Sequence, residues 1–359
     1  MSRETPADLA RSHEGEEGIV LLLVLVLVVV AISTAYAMGK TSLIEVLASR
    51  QSSQYARADL LARSGVGVAE RALLDDLVEG TDVTRTVESE LDAWALLSRQ
   101  EIELPGGALL RVRVRDAGNK LAINALVDAE GKRVGETSKN FLKAVFAHLR
   151  DTAPEFKGSS KLGDQDIDDL SDALLDWLDK DEETRVGTPE PEYYGEIKHT
   201  KSLPLNRPVF SLDELADVPG MDPLLLEALK AYFTPYPMFP GSDGGGVNLN
   251  TAPAHVLALI YHGVGDDQRM LDQRDVFEIL KARQDGRVFC AAAGVDPCTT
   301  FSETVGLAEG EQVFPQLTYT SRVFSIDVEA AVGDTRACVR SVIDRGTGDP
   351  KTLFYELGC

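Results

Sequence analysis

An uncharged apolar segment near the N-terminus constrains this chain more than any other feature of its sequence. Residues 19–37 read IVLLLVLVLVVVAISTAYA and contain no charged side chain. At about 1.5 Å of rise per residue, a helix of this length just crosses the roughly 30 Å hydrocarbon core of a bilayer. A cleaved secretory signal is the alternative, because Ser33 to Ala37 resembles a small-residue cleavage site. The sequence favours a retained transmembrane helix, since the helical pattern continues to Leu77 without a proline.

The charge balance narrows the classes of function that the chain can have. Lys and Arg total 36 and Asp and Glu total 58, which gives a formal net charge of -22. Nucleic-acid affinity depends largely on clustered Lys and Arg, so this balance disfavours a phosphate-binding surface. It suits calcium binding and polar protein partners. The sequence contains no G-x-S-x-G, H-E-x-x-H or phosphate-loop motif and predicts no catalytic activity.

Three segments alternate between apolar and polar residues, as half-buried strands do. The first is residues 109–115, which read LLRVRVR; the others are residues 324–330 and 337–343, separated by a turn at Gly333 and Asp334. The simplest arrangement is one antiparallel sheet packed against the long N-terminal helix.

The sequence between these strands is mainly helical. Residues 140–149 and 166–178 carry apolar side chains at helical spacing. Ser211 with Glu214, and Thr251 with Pro253, are typical of capped helix starts. Gly241 to Gly246 predicts a flexible linker. The fold class is therefore α+β, with a long helix on a small antiparallel sheet and a large inserted, mainly helical domain.

The N-terminal architecture resembles the type IV pilin and pseudopilin superfamily. In that family a prepilin peptidase cuts after a glycine at the cytoplasmic edge of the helix, and the new N-terminus is methylated. The resemblance implies a cut between Gly18 and Ile19. Leu23 stands where most members carry a glutamate, and the leader segment 14–17 is acidic where family leaders are usually basic.

Three further stretches, in this order, resemble the minor pseudopilin K family of type II secretion. They are residues 176–181 (DWLDKD) followed by 192–194 (EYY); 206–208 (NRP) with 211–215 (SLDEL) and 218–221 (VPGM); and 247–253 (VNLNTAP). Asp116 and Asn124 resemble the family's junction ahead of the inserted domain. The absence of the glutamate at Leu23 also fits, because this pseudopilin typically lacks it.

The resemblance implies a non-enzymatic role at the tip of the secretion pseudopilus, which supports protein export across the outer membrane. Expected partners are the minor pseudopilins I, J and H and the prepilin peptidase. The chain would cross the bacterial inner membrane once and place its folded part in the periplasm. We therefore expect a leader at 1–18, a transmembrane helix at 19–37, the pseudopilin helix and first strands at 38–135, an inserted helical domain at 136–318, and completing strands at 319–359.

An acidic stretch from Asp176 to Glu192 is a candidate calcium site. From charge alone, a solvated acidic loop is the simpler interpretation. The resembled family binds calcium in its helical domain, and that resemblance favours a site. Asp179 and Asp181 follow a predicted helix, and Glu190 and Glu192 lie beyond a turn containing Gly187 and Pro189. These four carboxylates are the predicted ligands, although they lack the spacing of an EF-hand.

Four cysteines, Cys290, Cys298, Cys338 and Cys359, are disulfide candidates in a compartment outside the cytoplasm. The short separation of Cys290 and Cys298 suits one bridge, and Cys338 with Cys359 is the complementary pairing. Buried free thiols are the alternative, and the sequence does not decide the connectivity.

A membrane-anchored DNA-binding protein is the alternative function. Residues 215–229 resemble a helix-hairpin-helix, whose Gly-containing hairpin can bind phosphate through backbone amides. Asp213, Glu214, Asp217 and Asp222 surround the hairpin without a Lys or Arg cluster, so the sequence disfavours this interpretation.

Overall fold

The computed structural model describes residues 14–78, 87–128, 130–132, 135–152, 162–198, 202–238, 246–265, 267–292, 294, 296–308, 310–346 and 349–358. In chain order, the helices α1 to α8 are Glu14–Val78, Ala93–Leu97, Gly135–Thr152, Asp164–Leu178, Pro223–Tyr232, Ala254–Leu257, Gln273–Gln284 and Phe301–Val305. The strands β1 to β14 are Glu101–Leu104, Ala108–Asp116, Leu121–Ala122, Phe233–Thr234, Val247–Asn248, Tyr261–Val264, Asp267–Met270, Val288–Phe289, Cys298–Thr299, Gln312–Phe314, Leu317–Thr318, Val323–Val332, Thr335–Asp344 and Lys351–Leu357.

Helix α1 is a single element of 65 residues, or about 100 Å at the α-helical rise. Its most apolar 18-residue window has a mean hydropathy of 3.0 and is 0% buried in the protein. An apolar surface of this size without protein cover requires lipid or another apolar environment. Among the described residues, α1 is the helix long and apolar enough to act as a membrane anchor.

The C-terminal half of α1 packs on a five-stranded sheet of order β1-β2-β12-β13-β14, in which every neighbouring pair is antiparallel. The predicted alternation is confirmed, because Leu110, Val112 and Val114 are buried between outward-facing arginines. The helix contributes small and branched residues to this core: Ala58, Ala62, Val66, Ala69 and Leu73. Their spacing of three or four residues places them on one helical face.

The closest approach of α1 to the sheet is at Gly65. An added Cβ there would lie 2.6 Å from Val328 Cγ1 and 3.2 Å from Leu110 Cδ1, whereas Gly67 on the opposite face has open space. We expect the Gly65→Ala variant to be less stable than the Gly67→Ala variant by about 2 kcal/mol, since overpacking opposes the usual helical gain of alanine. Chemical denaturation of the chain in detergent micelles measures the difference, and equal stability of the two variants would contradict this packing.

A second, mainly helical unit is inserted between β2 and β12. Its core is built from α3, α4, α5, α6 and α7, with short strands at its edges. The predicted helices at 140–149 and 166–178 correspond to α3 and α4. Leu121, Ile123, Leu126 and Val127 also belong to this core. The segment 121–127 therefore packs in the helical unit, although the sequence-based boundary was placed at residue 135.

The helical unit joins the sheet at the end that is distal to the membrane anchor. The chain leaves the sheet at Asp116 and returns next to it, because Phe324 pairs with Asp116 across β2 and β12. At this end, Arg345 donates a hydrogen bond to the carbonyl oxygen of Leu73 near the end of α1, at 3.1 Å. The opposite end of the sheet faces earlier α1 residues, where Arg57 donates to the Pro105 carbonyl at 2.6 Å.

Two local expectations meet different outcomes. Ser211 caps the 3₁₀ segment Leu212–Asp217 together with Glu214, as its sequence indicates. Thr251 does not cap a helix: α6 begins after Pro253, and the Thr251 hydroxyl donates to Asp116 instead. Most of the predicted linker, Gly241 to Gly246, lies outside the described residues. Gly246 is the part of it that the structure describes.

Candidate metal centre

Three of the four predicted calcium ligands come together after α4. Asp179 is the C-cap of α4, Asp181 follows, and Glu190 begins the π-helical segment Pro191–Ile197. One carboxylate oxygen from each of the three lies within 4.8 Å of the others. Glu192 is exposed and lies outside this group. We call Asp179, Asp181 and Glu190 the carboxylate cluster.

A tight hairpin brings Glu190 back to the end of α4. The backbone N–H of Thr184 donates to the carbonyl of Thr188 at 2.9 Å, and the backbone N–H of Glu190 donates to the carbonyl of Glu182 at 2.9 Å. Gly187 has φ of +78° in this turn, a conformation that side-chain-bearing residues rarely adopt. The turn residues of the sequence therefore close the loop that the carboxylate cluster requires.

Asn206 lies against the carboxylate cluster, although the sequence analysis did not assign it to the site. Its Nδ2 donates to Glu190 Oε2 at 3.0 Å and to the Asp181 carbonyl at 2.7 Å. It holds a left-handed φ of 51°, which Asn tolerates better than most residues. Among the described residues, Asn206 Oδ1 and Glu190 Oε1 are buried acceptors without a hydrogen-bond donor. Buried acceptors in that state are costly, and a bound cation would satisfy them.

The electrostatics of the carboxylate cluster favour a cation. Asp179 is 0% exposed and Glu190 is 3% exposed. The pKa of Glu190 is raised to about 7, mainly by burial and also by the neighbouring charges of Asp176, Asp179 and Asp181, against the opposing effect of the Asn206 hydrogen bond. Full ionisation of the cluster is therefore unfavourable without a positive charge. Carboxylate and amide oxygens are hard ligands that suit calcium or magnesium, so these residues fit a divalent cation.

Contacts of Tyr193 and Tyr194 behind the carboxylate cluster fix the shape of the loop. The Tyr194 hydroxyl donates to the buried carboxylate of Asp176 at 2.5 Å, which ties the π-helical segment to α4. Burial, followed by the nearby Asp176 charge, raises the pKa of Tyr194, so its proton stays in place. Tyr193 packs edge-on against Tyr194 with ring centroids 4.9 Å apart, and Trp177 is buried in the helical core. The aromatic residues of this stretch are thus packing residues.

Asp76, Glu88 and Asp92 form a second acidic group, in which one carboxylate oxygen of each residue also lies within 4.8 Å of the others. Its environment is different. The guanidinium of Arg345 lies against it, with Nη1 3.2 Å from Asp76 Oδ2 and Nη2 in contact with Glu88 Oε1. An arginine already supplies positive charge to this group. The carboxylate cluster after α4 instead contains the buried Glu190 Oε1 next to Asn206 Oδ1, two acceptors that a cation would satisfy, and it is the better candidate for a metal.

The motif residues around Asn248 form the junction between the two units. Asp116 Oδ2 accepts hydrogen bonds from Asn248 Nδ2 at 3.0 Å, Thr251 Oγ1 at 2.5 Å and Ser321 Oγ at 2.6 Å. Its Oδ1 accepts from the backbone of Gly118 at 2.6 Å. Burial raises the pKa of Asp116, and these four hydrogen bonds oppose the rise.

The other asparagines of the motifs also bind backbone groups. Asn250 pairs with both the N–H and the carbonyl of Phe289, at 2.7 and 3.0 Å. Asn124 accepts from the N–H of Val209 at 2.9 Å and donates to its carbonyl. These hydrogen bonds join backbone segments that are distant in sequence, which stabilises the fold.

The cysteines lie on both units. Cys290 and Cys298 form a disulfide with a Cα separation of 5.6 Å, next to the parallel strands β8 and β9. Cys338 on β13 is also disulfide-bonded. Cys359 lies outside the described residues.

The hairpin that resembles a DNA-binding motif does not expose a phosphate site. Asp222 accepts hydrogen bonds from the backbone of Leu224 and Leu225 at the start of α5. The amides that a helix N-terminus would offer to phosphate are therefore used by an internal carboxylate. A nucleic-acid function is not favoured.

Comparisons with known proteins agree on one family. Residues 119–238 match the family model described as type II secretion system (T2SS), protein K. The chain is 25% identical over 303 residues to the type II secretion system protein K of Pseudomonas aeruginosa, which covers 83% of this chain and 79% of that protein. The fold is similar to a chain in the crystal structure of the GspK-GspI-GspJ complex from the enterotoxigenic Escherichia coli type 2 secretion system. That likeness has a TM-score of 0.56 at 19% identity and covers 87% of this chain and 99% of that one.

Proposed function

This chain belongs to the protein K family of the type II secretion system, and from that premise we propose that it is the minor pseudopilin at the tip of the secretion pseudopilus. There it would start assembly and support the export of folded proteins across the outer membrane. The observation that carries the proposal is the position of the helical unit, which joins the sheet at the end distal to the membrane anchor. A large unit at that end leaves no continuation of the filament above it.

The anchor helix supports the same position. A glutamate in the apolar segment of a pilin-like subunit needs a positive partner, because an unpaired charge in lipid is costly. In this chain the corresponding place is Leu23, which is 57% exposed on α1. A subunit with no neighbour above it has no partner for that carboxylate, and a leucine avoids the cost.

The proposed partners are the minor pseudopilins I, J and H of the same organism. The similar E. coli chain was crystallised as a GspK-GspI-GspJ complex. We expect the full chain, co-expressed with its own I and J counterparts in a membrane fraction, to co-purify with both as one complex. Recovery of the chain free of both counterparts, under conditions in which I and J bind each other, would contradict the proposal.

We also propose that the folded part lies in the periplasm and that a prepilin peptidase removes the leader. Since Gly18 precedes the apolar segment, the protein extracted from membranes is expected to begin at Ile19 with a methylated amine. N-terminal sequencing and mass spectrometry measure both features. A chain that begins at Met1 or near Met38 would rule out this processing.

We propose calcium as the ion of the carboxylate cluster, with Asp179, Asp181 and Glu190 as ligands and Asn206 Oδ1 as a further oxygen. The ion would offset most of the negative charge of the cluster and hold the 181–190 loop against α4. Calcium at about 100 times its dissociation constant is expected to stabilise the chain by about 2.7 kcal/mol relative to chelator. Melting of the full chain in detergent micelles, followed by circular dichroism, measures the shift.

The loop offers a matched control for this experiment. A double variant, Asp179→Ala with Asp181→Ala, should lose the calcium-dependent shift, because it removes two ligands. Glu192→Ala should keep the shift, since Glu192 is exposed and lies outside the cluster. An unchanged melting temperature of the wild-type chain at millimolar calcium, with no metal found by elemental analysis, would contradict a calcium site.

A further inference from the structure

A cavity of about 370 Å³ lies where the two units meet. The sheet unit contributes Ser89, Glu90, Leu91 and Arg99 to its lining, and the helical unit contributes the segment before α6 and the C-terminal end of α7. The cavity lies next to the Asn248 junction and is separate from the carboxylate cluster after α4. Neither the calcium proposal nor the tip proposal uses it.

The cavity is basic although the chain is strongly acidic. Arg99, Arg283 and Arg287 line it, and Glu90 is its acidic lining residue. Glu90 forms an ion pair with Arg99 at 3.4 Å. Arg283 and Arg287 therefore have no acidic residue of the lining as an ion-pair partner. A local excess of positive charge on a chain of net charge -22 selects for an anionic group.

Arg283 is the lining residue that most favours an anionic ligand. Its Nη1 donates to the Ala252 carbonyl at 2.6 Å, and its Nη2 donates to the Leu249 carbonyl. Its Nε is buried and has no hydrogen-bond partner among the described residues. Burial lowers the pKa of Arg283 to about 10, with a smaller opposing effect from Glu90. No described carboxylate forms an ion pair with this guanidinium, and a desolvated charge in that state is costly.

The remaining lining defines the rest of the ligand. Leu91 is 57% exposed at the rim, and Leu280 and Pro253 provide apolar surface within the cavity. Arg287 is exposed, and its Nη1 makes a long hydrogen bond of 3.4 Å to the Cys298 carbonyl. Because the side chain is exposed, its other N–H groups can bind an incoming group. Arginine binds carboxylates in a planar, two-bond geometry, which suits a carboxylate placed beside apolar side chains.

We infer that this cavity is a docking site for a partner protein, and that it receives an acidic side chain flanked by apolar residues. The acidic carboxylate would face Arg283 and Arg287, and the flanking apolar side chains would contact Leu91 and Leu280. The inference rests neither on the calcium proposal nor on the tip position.

Fluorescence anisotropy on the full chain in detergent micelles tests the inference. The probe is a rhodamine-labelled hexapeptide with a central Leu-Glu-Leu sequence, and its control carries Gln in place of Glu. We expect the Glu peptide to bind about tenfold more tightly than the Gln peptide, because one charge-assisted contact is worth about a factor of ten. Higher salt should reduce the difference.

Two arginine variants complete the test. Arg287→Gln should weaken binding of the Glu peptide about fivefold to tenfold, and its exposed position leaves the fold intact. Arg274→Gln is the control, because Arg274 is on helix α7, which precedes Arg287, is 80% exposed, and lies outside the cavity lining. Three results would each overturn the inference. They are equal binding of the two peptides, a dissociation constant of the Glu peptide above 1 mM (roughly 4 kcal/mol of affinity), and equal effects of the two variants.

Discussion

Replacing Asp116 with alanine is expected to lower the free energy of unfolding by about 3–5 kcal/mol. The substitution removes the acceptor that the side chains of Asn248, Thr251 and Ser321 share, so the buried Thr251 and Ser321 hydroxyls lose the acceptor that the described residues give them. Asn248 keeps its hydrogen bonds to the Glu88 carbonyl and to Ser321 Oγ. Each buried hydroxyl left without its acceptor costs about 1–3 kcal/mol. Because these side chains come from both units, the variant should also expose the junction to protease.

Chemical denaturation of the chain in detergent micelles measures the loss, and limited proteolysis measures the opening of the junction. Asp116→Asn should have an intermediate effect, since one amide oxygen can still accept hydrogen bonds. The control is Asp327→Ala on the outer face of the sheet. Asp327 pairs with Arg115 and Arg340, whose side chains are 55% and 63% exposed, and such surface pairs contribute at most about 1 kcal/mol. Similar losses in the two alanine variants would show that Asp116 has no special role.

Replacing Arg345 with methionine is expected to cost about 3–5 kcal/mol, the usual penalty for removing one partner of a buried ion pair. Arg345 is 2% exposed, lies over the ring of Phe324, and donates to the Ser321 carbonyl at 3.1 Å. Its guanidinium pairs with Asp76 near the end of α1 and with Glu88. Without it, the carboxylate of Glu88 remains buried without a counter-ion.

A double-variant cycle separates lost packing from unpaired charge. Adding Glu88→Gln to Arg345→Met should recover part of the loss, because the uncompensated charge is removed together with its partner. Arg340→Met is the matched control, since its side chain is 63% exposed and its ion pairs lie on the sheet surface. If Glu88→Gln adds its own full cost to that of Arg345→Met, the ion pair carries no coupling energy and the expectation is wrong.

The sheet and the main helices were predictable because their patterns are local. A strand places successive side chains on opposite faces, so the alternation in residues 109–115 predicts both the strand and its buried face. The helices α3 and α4 are similarly evident from apolar residues at helical spacing. The edge strands β1 and β14 were not predicted, since EIEL is short and most side chains of β14 are exposed.

The candidate metal centre was predictable only where its residues are close in sequence. Asp179, Asp181 and Glu190 lie within one hairpin, and charge density with turn residues identifies them. Asn206 was missed because its role depends on a left-handed backbone conformation and a fold that returns the chain to Asp181. Glu192 was included because it is adjacent in sequence, but the π-helical segment places it on the exposed side.

The junction could not be derived from sequence at all. Asp116 and Ser321 are separated by 205 residues, and the Asn248 that joins them is 132 residues from Asp116. The motif 247–253 indicated a capped helix start, whereas its Asn and Thr side chains bind a carboxylate of the other unit. Contacts of this range have no local pattern, because they depend on the complete path of the chain.

The position of the chain in an assembled pseudopilus tests the central claim most directly. Pseudopili can be labelled with gold-conjugated antibodies against the helical unit and imaged by electron microscopy. The proposed tip position predicts label at one end of each filament, because the helical unit joins the sheet at the end distal to the anchor. Label distributed along the filament length, or filaments without label that form normally when the chain is deleted, would contradict it.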